Sequence, residues 1–395
     1  MAVHRPTDAE GARDCIADAV GSGIRLDIRG GGSKAAIGAA RAAADVLDLS
    51  ALRGVVDYDP AELVLTARAG TPLAEIEALV AAEGQMLAFE PFDHGPLLGG
   101  EAGRATIGGI LAAGVAGSRR VTAGGARDHF LGFTAVSGRG EIFVAGGKVV
   151  KNVTGYDLPK LLAGSWGRLA AMTEVTIKVL PRPRVSVTLA AEGLDCAGAR
   201  AMMACALGSR ADVSAAAHIP ARAGRPALTV LRVAGFAPSV EARYALLPGL
   251  LRDHAPLARL EDAEASRVWH AAATGSALSG EVLWRLHLPP SRTPDATAAL
   301  DAMGCEWSLD WGGGLIWTAT GDAGEEAARK VRAVAADAGG QAMLVRAPEA
   351  LRALVPVQHP RDPAVAALEA RVRRAFDPAG VFETGRFLGE THHAD

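Results

Sequence analysis

Cysteine is scarce in this sequence and occurs in no metal-binding spacing. The 395 residues include 4 cysteines, Cys15, Cys196, Cys205 and Cys305. No two of them form a C-x-x-C pair, which excludes zinc knuckles and iron–sulfur motifs within this chain. We expect free thiols in a reducing compartment.

Long apolar runs and an excess of one charge sign are also missing. No stretch approaches the about 18 uninterrupted apolar residues of a membrane-spanning helix. The N-terminal MAVHRPTDAEGARD lacks the apolar core of a signal peptide. A formal net charge of −3 leaves no electrostatic footprint for nucleic acid or an acidic membrane surface. These absences predict a cytoplasmic protein, and the length suffices for two or three domains.

Alternation and capping patterns predict an α+β chain with a break at PRPR, residues 181–184. Residues 24–29 alternate like a strand, and FLGFTAVSGRGEIFVAGGKVV predicts a β-hairpin that turns at residues 138–140. TPLAEIEALVAAEG predicts a helix with Thr71 as its cap and Pro72 in its first turn. After the break, helices alternate with strand candidates, which predicts an antiparallel sheet. These candidates lie at residues 227–236, 281–288 and 313–320.

Glycine is abundant instead, and three segments concentrate it. The first, Arg29-Gly30-Gly31-Gly32-Ser33-Lys34, follows the strand predicted at IRLDIR. Backbone N–H groups of such a turn can form an anion-binding nest, although the segment also fits an ordinary loop. Gly30, Gly32 and Ala35 match a dinucleotide fingerprint, with Asp48 as its ribose-binding acid. IRLDIR weakens this nicotinamide-cofactor interpretation, because a central parallel strand is continuously apolar.

The second segment, RATIGGILAAGVAGSRR at residues 104–120, places four glycines in a helical pattern. Each helical glycine costs about 0.8–1.0 kcal/mol relative to alanine. Thr106 can cap a helix whose first turn contains Gly108 and Gly109, and bare N–H groups at a helix N-terminus bind phosphate. We interpret the segment as a diphosphate-binding helix start, with tight helix packing as the alternative.

The third segment, KVVKNVTGYDLPKLLAGSWG at residues 148–167, combines a strand, a turn, a short helix and a glycine turn. Asp157 can cap the helix and Pro159 fits its first turn. In this order the three segments resemble the FAD-binding domain of the vanillyl-alcohol oxidase/p-cresol methylhydroxylase flavoprotein family. The likeness extends through RATIGGILAAGVAGSRRVTAGGARD, KVVKNVTGYDLPKLLAGSWGRLAAMTEVTIKV and the C-terminal AFDPAGVFETGRF.

Within the family, the chain is most similar to the FAD-binding subunits of bacterial glycolate oxidases. The resemblance implies an α+β fold with a two-part FAD-binding domain at residues 1–183. An α+β cap domain with an antiparallel sheet would follow at residues 184–395. Its final segment, about residues 375–390, is a candidate to return to the flavin.

The resemblance also implies which residues hold FAD. The candidates are Arg29, Gly30, Gly31, Gly32, Ser33, Lys34, Thr106, Ile107, Gly108, Gly109, Gly114, Gly117, Ser118, Gly125, Asp128, Gly164, Gly167, Ile177 and Arg386. Many relatives carry a histidine where this chain has Ser33, so we expect non-covalent FAD. Relatives often have asparagine at the place of Gly114. Their common asparagine-proline-glycine-arginine tail is Glu383-Thr384-Gly385-Arg386 here.

By resemblance, the chain is an FAD-dependent oxidoreductase subunit that acts on CH–OH groups. It would assemble with a catalytic FAD subunit and an iron–sulfur subunit, in the cytoplasm or at the inner face of the membrane. The complex would oxidise glycolate, and D-lactate as well, to the 2-oxo acid.

The sequence assigns no catalytic residue and no metal site. Trp284, Arg285 and Arg232 lie on strand candidates and fit either core-edge packing or a cavity. Four alternative functions stay open. They are an autonomous FAD-dependent alcohol oxidase, a flavin-bearing scaffold without turnover, the FAD subunit of a molybdenum hydroxylase and a nicotinamide-dependent dehydrogenase.

Overall fold

The structure, a computed structural model, describes residues 1–39, 44–147 and 155–387. The chain forms two compact units. The first unit comprises residues 1–116, 124–181 and 360–395, and the second comprises residues 117–123 and 182–359. None of the helices in the described ranges combines the length and the apolar character that a membrane crossing requires.

The secondary structure is mixed in both units. The strands are β1 (Val3–His4), β2 (Arg25–Arg29), β3 (Ala44–Asp48), β4 (Val55–Asp59), β5 (Val64–Arg68), β6 (Gln85–Met86), β7 (Phe130–Ser137), β8 (Ile142–Gly146), β9 (Ala170–Lys178), β10 (Leu180–Pro181), β11 (Val185–Glu192), β12 (Ala215–Ile219), β13 (Leu228–Gly235), β14 (Ala258–Arg259), β15 (Val282–His287), β16 (Glu306–Asp310), β17 (Leu315–Thr320) and β18 (Gln341–Arg346). The helices are α1 (Ala9–Ser22), α2 (Leu73–Ala82), α3 (Ile107–Ala113), α4 (Arg120–Ala123), α5 (Ala126–His129), α6 (Leu158–Leu162), α7 (Cys196–Leu207), α8 (Ala237–Leu250), α9 (Asp262–Thr274), α10 (Thr293–Ala302), α11 (Glu325–Asp337), α12 (Glu349–Leu354) and α13 (Pro363–Phe376).

Two sheets of opposite character build the first unit. A three-stranded parallel sheet has the order β1-β3-β2, and a five-stranded antiparallel sheet has the order β4-β5-β9-β7-β8. The hairpin predicted from sequence is confirmed, since β7 pairs with β8 around residues 138–140. The strand predicted at residues 24–29 is also confirmed as β2. This strand leads directly into the first glycine segment.

The second glycine segment forms the short helix α3. The Thr106 hydroxyl caps it by accepting a hydrogen bond from the Gly109 N–H. The helix ends at Gly114, whose φ of 63° lies in the left-handed region that glycine adopts without strain. The apolar side chains of Ile107, Ile110 and Leu111 are all fully buried in the core of the first unit. Burial of this face stabilises a helix that its glycines disfavour.

An eight-stranded antiparallel sheet forms the second unit, in the order β14-β11-β13-β12-β16-β17-β15-β18. One face carries Trp284, Leu286 and Ile316 into a large hydrophobic core that helices α7, α8, α10 and α11 complete. Helix α9 covers part of the other face through Trp269. The α+β class with an antiparallel second sheet, predicted from sequence, is confirmed.

The end of the chain differs from the predicted division into two consecutive domains. Residues 360–395 belong to the first unit, and residues 117–123 belong to the second. The Asp377 carboxylate fixes the returning segment, because its two oxygens accept hydrogen bonds from the N–H groups of Val381 and Phe382 at 2.9 and 2.8 Å. The Val381 carbonyl then accepts a 2.7 Å hydrogen bond from the Leu26 N–H on β2. Long-range pairing of this kind leaves no periodic signal in the sequence.

Replacement of Asp377 by alanine should destabilise the first unit. The side chain is only 5% exposed, so Asp377→Ala leaves two buried N–H donors without an acceptor, at about 1–3 kcal/mol each. Urea unfolding measures the loss. Asp253→Ala, whose side chain is 89% exposed, is the control and should change the free energy of unfolding by less than about 0.5 kcal/mol. Equal stability of the two variants would contradict this role of Asp377.

Candidate functional site

A cavity of about 740 Å³, including its open mouth, lies within the first unit. It is lined by the first glycine segment, by one side of α3, by the turn that contains Gly167 and by Arg386. The lining residues are Ile28, Arg29, Gly30, Gly31, Gly32, Ser33, Lys34, Ala35, Leu49, Ala69, Thr106, Gly108, Gly109, Ala112, Ala113, Trp166, Gly167, Ala170, Met172 and Arg386. The structure thus brings together predicted residues from four distant parts of the sequence.

Glycine is required in the first segment because another part of the backbone lies against it. A Cβ atom at Gly31 would overlap the Arg104 carbonyl oxygen, and one at Gly30 would overlap the Thr106 hydroxyl. The Arg104 guanidinium also donates a 3.1 Å hydrogen bond to the Gly31 carbonyl. The loop after β2 is therefore held directly over the start of α3.

The same loop supplies unused backbone donors. The N–H groups of Gly31, Gly32 and Ser33 find no acceptor among residues 1–39, 44–147 and 155–387. Gly32 adopts a φ of +80°, which lets the chain turn so tightly. Consecutive N–H groups in such a turn form a concave site for an anion.

The predicted donors at the start of α3, in contrast, are already used by the protein. The Ile107 and Gly108 N–H groups donate to the carbonyls of Thr71 and Ala69 at 2.9 and 2.8 Å. The Gly109 N–H donates to the Thr106 hydroxyl. The expectation of free phosphate donors at this helix start is therefore wrong. Capping and packing satisfy these groups locally, and the glycine loop provides the donors instead.

The two adjacent glycines of α3, Gly108 and Gly109, lack a side chain for different structural reasons. A Cβ at Gly108 would lie 2.7 Å from the Ala69 side chain and 2.8 Å from the Ala69 carbonyl. Close packing therefore requires the first glycine. A Cβ at Gly109 would meet only the Thr106 hydroxyl, at 3.2 Å, and this residue lines the cavity. Only Gly109 is thus explained by a ligand that needs the space above the backbone.

Three cations surround the cavity, and two of them are buried. Lys34 is 8% exposed, and burial lowers its pKa to about 8, against the opposing influence of Asp93. Arg386, also 8% exposed, donates to the carbonyls of Ile37 and Lys34 and so joins the C-terminal segment to the glycine loop. Arg29 forms a 2.6 Å ion pair with Asp27. An anionic ligand would offset the desolvation of these cations.

Sequence reasoning missed Asp93, which organises the segment ahead of α3. Its carboxylate accepts hydrogen bonds from the N–H groups of Gly95, Gly103 and Arg104, at 2.9, 2.8 and 3.2 Å. The D-H-G stretch at residues 93–95 is a turn signal that could have indicated this role.

The apolar wall of the cavity was also missed. Ala112 and Ala113 lie on α3 itself, so their small size in a glycine-rich helix was a usable signal. No sequence signal indicated Trp166 as a lining residue. Its φ of 58° is unusual for tryptophan, and its backbone N–H donates a 2.8 Å hydrogen bond to the Ala112 carbonyl. The wall also includes Met172 on β9. These residues place an apolar surface next to the polar loop.

Eight predicted residues do not line the cavity. Gly114 and Gly164 pack against each other, since a Cβ at Gly114 would lie 3.4 Å from the Gly164 α-carbon. The Gly125 N–H donates a 2.8 Å hydrogen bond to the Asp128 carboxylate at the start of α5. Ile107 and Ile177 are fully buried core residues of the first unit.

The remaining two, Gly117 and Ser118, belong to the second unit. The Trp311 indole N–H donates a 2.9 Å hydrogen bond to the Gly117 carbonyl, and the Ser118 hydroxyl lies 2.7 Å from the Asp310 carboxylate. These contacts explain both residues without a ligand, and an FAD contact for any of the eight stays a prediction. Residues 148–154 of the third segment lie outside the described residues.

Comparison with known proteins gives the site its chemical class. A family model described as "FAD binding domain" matches residues 1–146. The chain is 34% identical over 379 residues to "Glycolate oxidase subunit GlcE" of Escherichia coli K12, covering 95% of this chain and 96% of the relative. It is 30% identical over 188 residues to "D-lactate dehydrogenase" of Archaeoglobus fulgidus, covering 48% of this chain and 40% of that protein.

A solved structure supports the fold. The structure of 4-ethylphenol oxidase from Gulosibacter chungangensis matches with a TM-score of 0.70 at 14% identity, over 97% of this chain and 88% of the other.

The nicotinamide-cofactor interpretation is wrong, because β2 lies at the edge of a three-stranded sheet. In addition, the Asp48 carboxylate is occupied by the Ser50 N–H and by Arg5.

Substitutions of the two adjacent glycines should separate stability from cofactor binding. Gly108→Ala forces its Cβ onto Ala69 and should cost about 1–3 kcal/mol of unfolding free energy. Gly109→Leu should leave the fold intact but fill the cavity, so that FAD is lost on purification. Thermal denaturation and the FAD-to-protein absorbance ratio measure the two effects. A fully FAD-loaded Gly109→Leu protein would show that the cavity is not the FAD site.

The affinity for FAD should fall as the pH rises through about 8. A lysine with its pKa near 8 is charged below this pH, and a bound diphosphate would raise the pKa further, so neutralisation of Lys34 above pH 8 weakens binding. Fluorescence titration of the FAD-free protein from pH 7 to pH 9.5 measures the dissociation constant.

Lys34→Met should bind FAD weakly, without this pH dependence. Lys160→Met, which removes a half-exposed lysine that does not line the cavity, is the control and should keep the wild-type profile. An unchanged profile in Lys34→Met would rule out a role for this amine.

Proposed function

We propose that this chain, which belongs to the FAD-binding oxidoreductase family of glycolate oxidase subunit GlcE, is the FAD-bearing subunit of a multi-subunit 2-hydroxy-acid oxidoreductase. The complex oxidises glycolate, and D-lactate as well, to the corresponding 2-oxo acid. The observation that carries the proposal is 34% identity across 96% of the GlcE chain. Similarity confined to the FAD-binding domain would support only the binding of FAD, not the role as a subunit.

The cavity of the first unit fits FAD. The free N–H groups of the glycine loop, together with Lys34 and Arg386, suit a diphosphate. The wall of Ala112, Trp166 and Met172 suits an apolar ring system. When bound, FAD supplies a two-electron acceptor for oxidation of a CH–OH group. The protein contributes binding, orientation and exclusion of water from the site.

We propose that FAD is held without a covalent bond. Among the described residues that line the cavity, none is a histidine, cysteine or tyrosine, the nucleophilic side chains expected at a covalent link. Ser33 and Lys34 occupy the loop position that carries histidine in many relatives. Trichloroacetic acid precipitation should therefore release all of the flavin into the supernatant, and a yellow pellet would contradict this part of the proposal.

Arg386, rather than residue 383, is the C-terminal residue proposed to act at the flavin. It lines the cavity and bonds to the glycine loop. The Glu383 carboxylate instead forms ion pairs with Arg168 and Arg373, at 3.2 and 3.1 Å. These contacts support a flavin role for the arginine of the family's tail pattern, whereas the ion pairs of Glu383 support a structural role for that side chain.

The partners proposed are a catalytic FAD subunit and an iron–sulfur subunit, in the cytoplasm or, through the complex, at the inner face of the membrane. The GlcE relative is by its name a subunit. In the described ranges of this chain, the cysteines are free and no cluster of His, Cys, Asp and Glu could hold a metal. Iron–sulfur centres of the proposed complex would therefore lie in another chain.

Anaerobic spectroscopy tests the proposal. Glycolate should leave the flavin band of the purified chain oxidised, and it should bleach the band once the two partner subunits are added. Bleaching of the isolated chain with peroxide formation in air would favour an autonomous alcohol oxidase. A flavin that stays oxidised in a complex that turns over would indicate a scaffold. Absence of FAD from the chain would overturn the proposal.

A further inference from the structure

Among the described helices of 10 or more residues, only α13 has no buried residue. Helix α1 has the same length of 14 residues and buries Ala12, Ile16 and Ala19, and the other helices of this size also have buried residues. Helices in proteins owe most of their stability to the packing of an apolar face. The surface of α13 is therefore available for packing against another molecule.

The C-terminal half of α13 is the part that packs against the first unit. The Arg139 guanidinium donates hydrogen bonds of 3.0 and 3.2 Å to a carbonyl of the last turn, and the half-buried Val372 and Phe376 contact the core of the first unit. At the other end, the Asp362 carboxylate caps the helix. Residues 363–368 are all exposed. The first turns of the helix are thus capped but uncovered.

One ridge of α13 carries two apolar residues followed by two arginines. Val365, Leu368, Arg371 and Arg374 follow one another at intervals of three residues, and side chains three residues apart are neighbours on a helix surface. All four are exposed, Val365 by 45% and Leu368 by 57%. Ridges with this spacing pack into the groove of a second helix.

The two arginines of this ridge have no ion-pair partner. Among residues 1–39, 44–147 and 155–387, no carboxylate pairs with the guanidinium of Arg371 or of Arg374. Arg373 on the same helix, in contrast, pairs with a carboxylate at 3.1 Å, and Glu369 pairs with Arg361 at 3.4 Å. A carboxylate-bearing surface of another molecule would complement the two unpaired charges.

The order of side chains along the ridge disfavours a second copy of this chain as that molecule. A symmetric antiparallel contact would place both arginines against the apolar half, and a parallel contact would place arginine against arginine. Either arrangement buries charge without a carboxylate. A lipid surface is disfavoured as well, because interfacial helices present a broad face with Trp, Phe and Leu, whereas this ridge offers one valine and one leucine.

We propose that the ridge Val365–Leu368–Arg371–Arg374 is the surface through which this chain docks onto a different subunit of its complex. The partner surface presents apolar side chains to Val365 and Leu368, and carboxylates to Arg371 and Arg374. Burial of the apolar half supplies affinity, whereas the charged half fixes the register of the contact. This inference rests on the proposed function and extends it, because it names the contact surface of the subunit.

Co-purification tests the apolar half of the ridge. The full-length, tagged chain is co-expressed with the two proposed partner subunits, and its affinity for them is measured by gel filtration and dilution. Leu368→Glu places a charge in the apolar half and should weaken the association at least about tenfold. Leu354→Glu changes a leucine on α12 that is 61% exposed. This matched control should assemble as the wild type does.

Salt dependence tests the charge of the partner surface. Salt screens exposed ion pairs, so the wild-type association should weaken as the NaCl concentration rises. The double variant Arg371→Gln/Arg374→Gln should bind severalfold more weakly at low salt and should lose most of this dependence. Arg259→Gln, which removes an exposed arginine on β14, is the control and should keep it. Wild-type salt dependence in the double variant would overturn the inference.

Measurements on the isolated chain separate docking from folding. All of the changed side chains are exposed, so the melting temperature and the FAD content of the variants should match those of the wild type. The arginine variant decides the test if Leu368→Glu melts at a lower temperature. Light scattering, and retention on vesicles of phosphatidylethanolamine and phosphatidylglycerol, examine the other occupants. A dimer or vesicle binding that Leu368→Glu abolishes would overturn the inference.

Failure of the inference can be separated from failure of the proposed function. FAD content and glycolate oxidation by the complex are measured on the same preparations. A wild-type chain without FAD, or a complex inactive on glycolate, contradicts the proposed function. An active complex that Leu368→Glu and the arginine variant join as tightly as the wild type does contradicts only the docking surface on α13.

Discussion

The organisation of the first unit depends on one close approach between two stretches of backbone. The loop after β2 lies against the segment that leads into α3, so closely that Gly30 and Gly31 have no room for a Cβ. Because both residues are glycines, the two stretches of backbone can touch. This contact places the backbone N–H groups of the loop at the rim of the cavity, which α3 lines from below. The anion site is thus a consequence of packing between residues about 75 positions apart.

The burial of Lys34 and Arg386 is explained by their position beside this loop, where an anionic ligand would contact both cations. Lys34 and Arg386 are removed from water at the rim, which costs free energy unless an anion is nearby. Arg386 reaches the loop because the chain returns after Phe376, held by the Asp377 carboxylate and by the Leu26–Val381 hydrogen bond. The last described residues of the chain therefore complete a site that begins near residue 29.

The second unit shows the same principle on a sheet surface. Its core face is filled by hydrophobic packing, whereas the other face carries buried polar atoms of Ser308, Trp317 and Arg285 that find no hydrogen-bond partner in the described part of the chain. Both units thus use a well-packed side to support a face with unmet polar groups. Functional sites are commonly built where a fold departs from full satisfaction of its polar groups.

Local sequence patterns determined several secondary-structure elements of this protein and the glycine loop beside its cavity. Alternation indicated β2 and the β7–β8 hairpin, glycine placement indicated the loop after β2, and Thr106 was identified as the cap of α3, because each signal lies within a few residues of its effect. Tertiary structure alone decided the rest. It occupied the α3 amides with the Thr71 and Ala69 carbonyls, supplied the Asp377 and Leu26 hydrogen bonds that hold the returning C-terminal segment, and aligned Arg285 with Trp317 and Ser308. These outcomes depend on which distant segments become neighbours, and no spacing within a single segment records that.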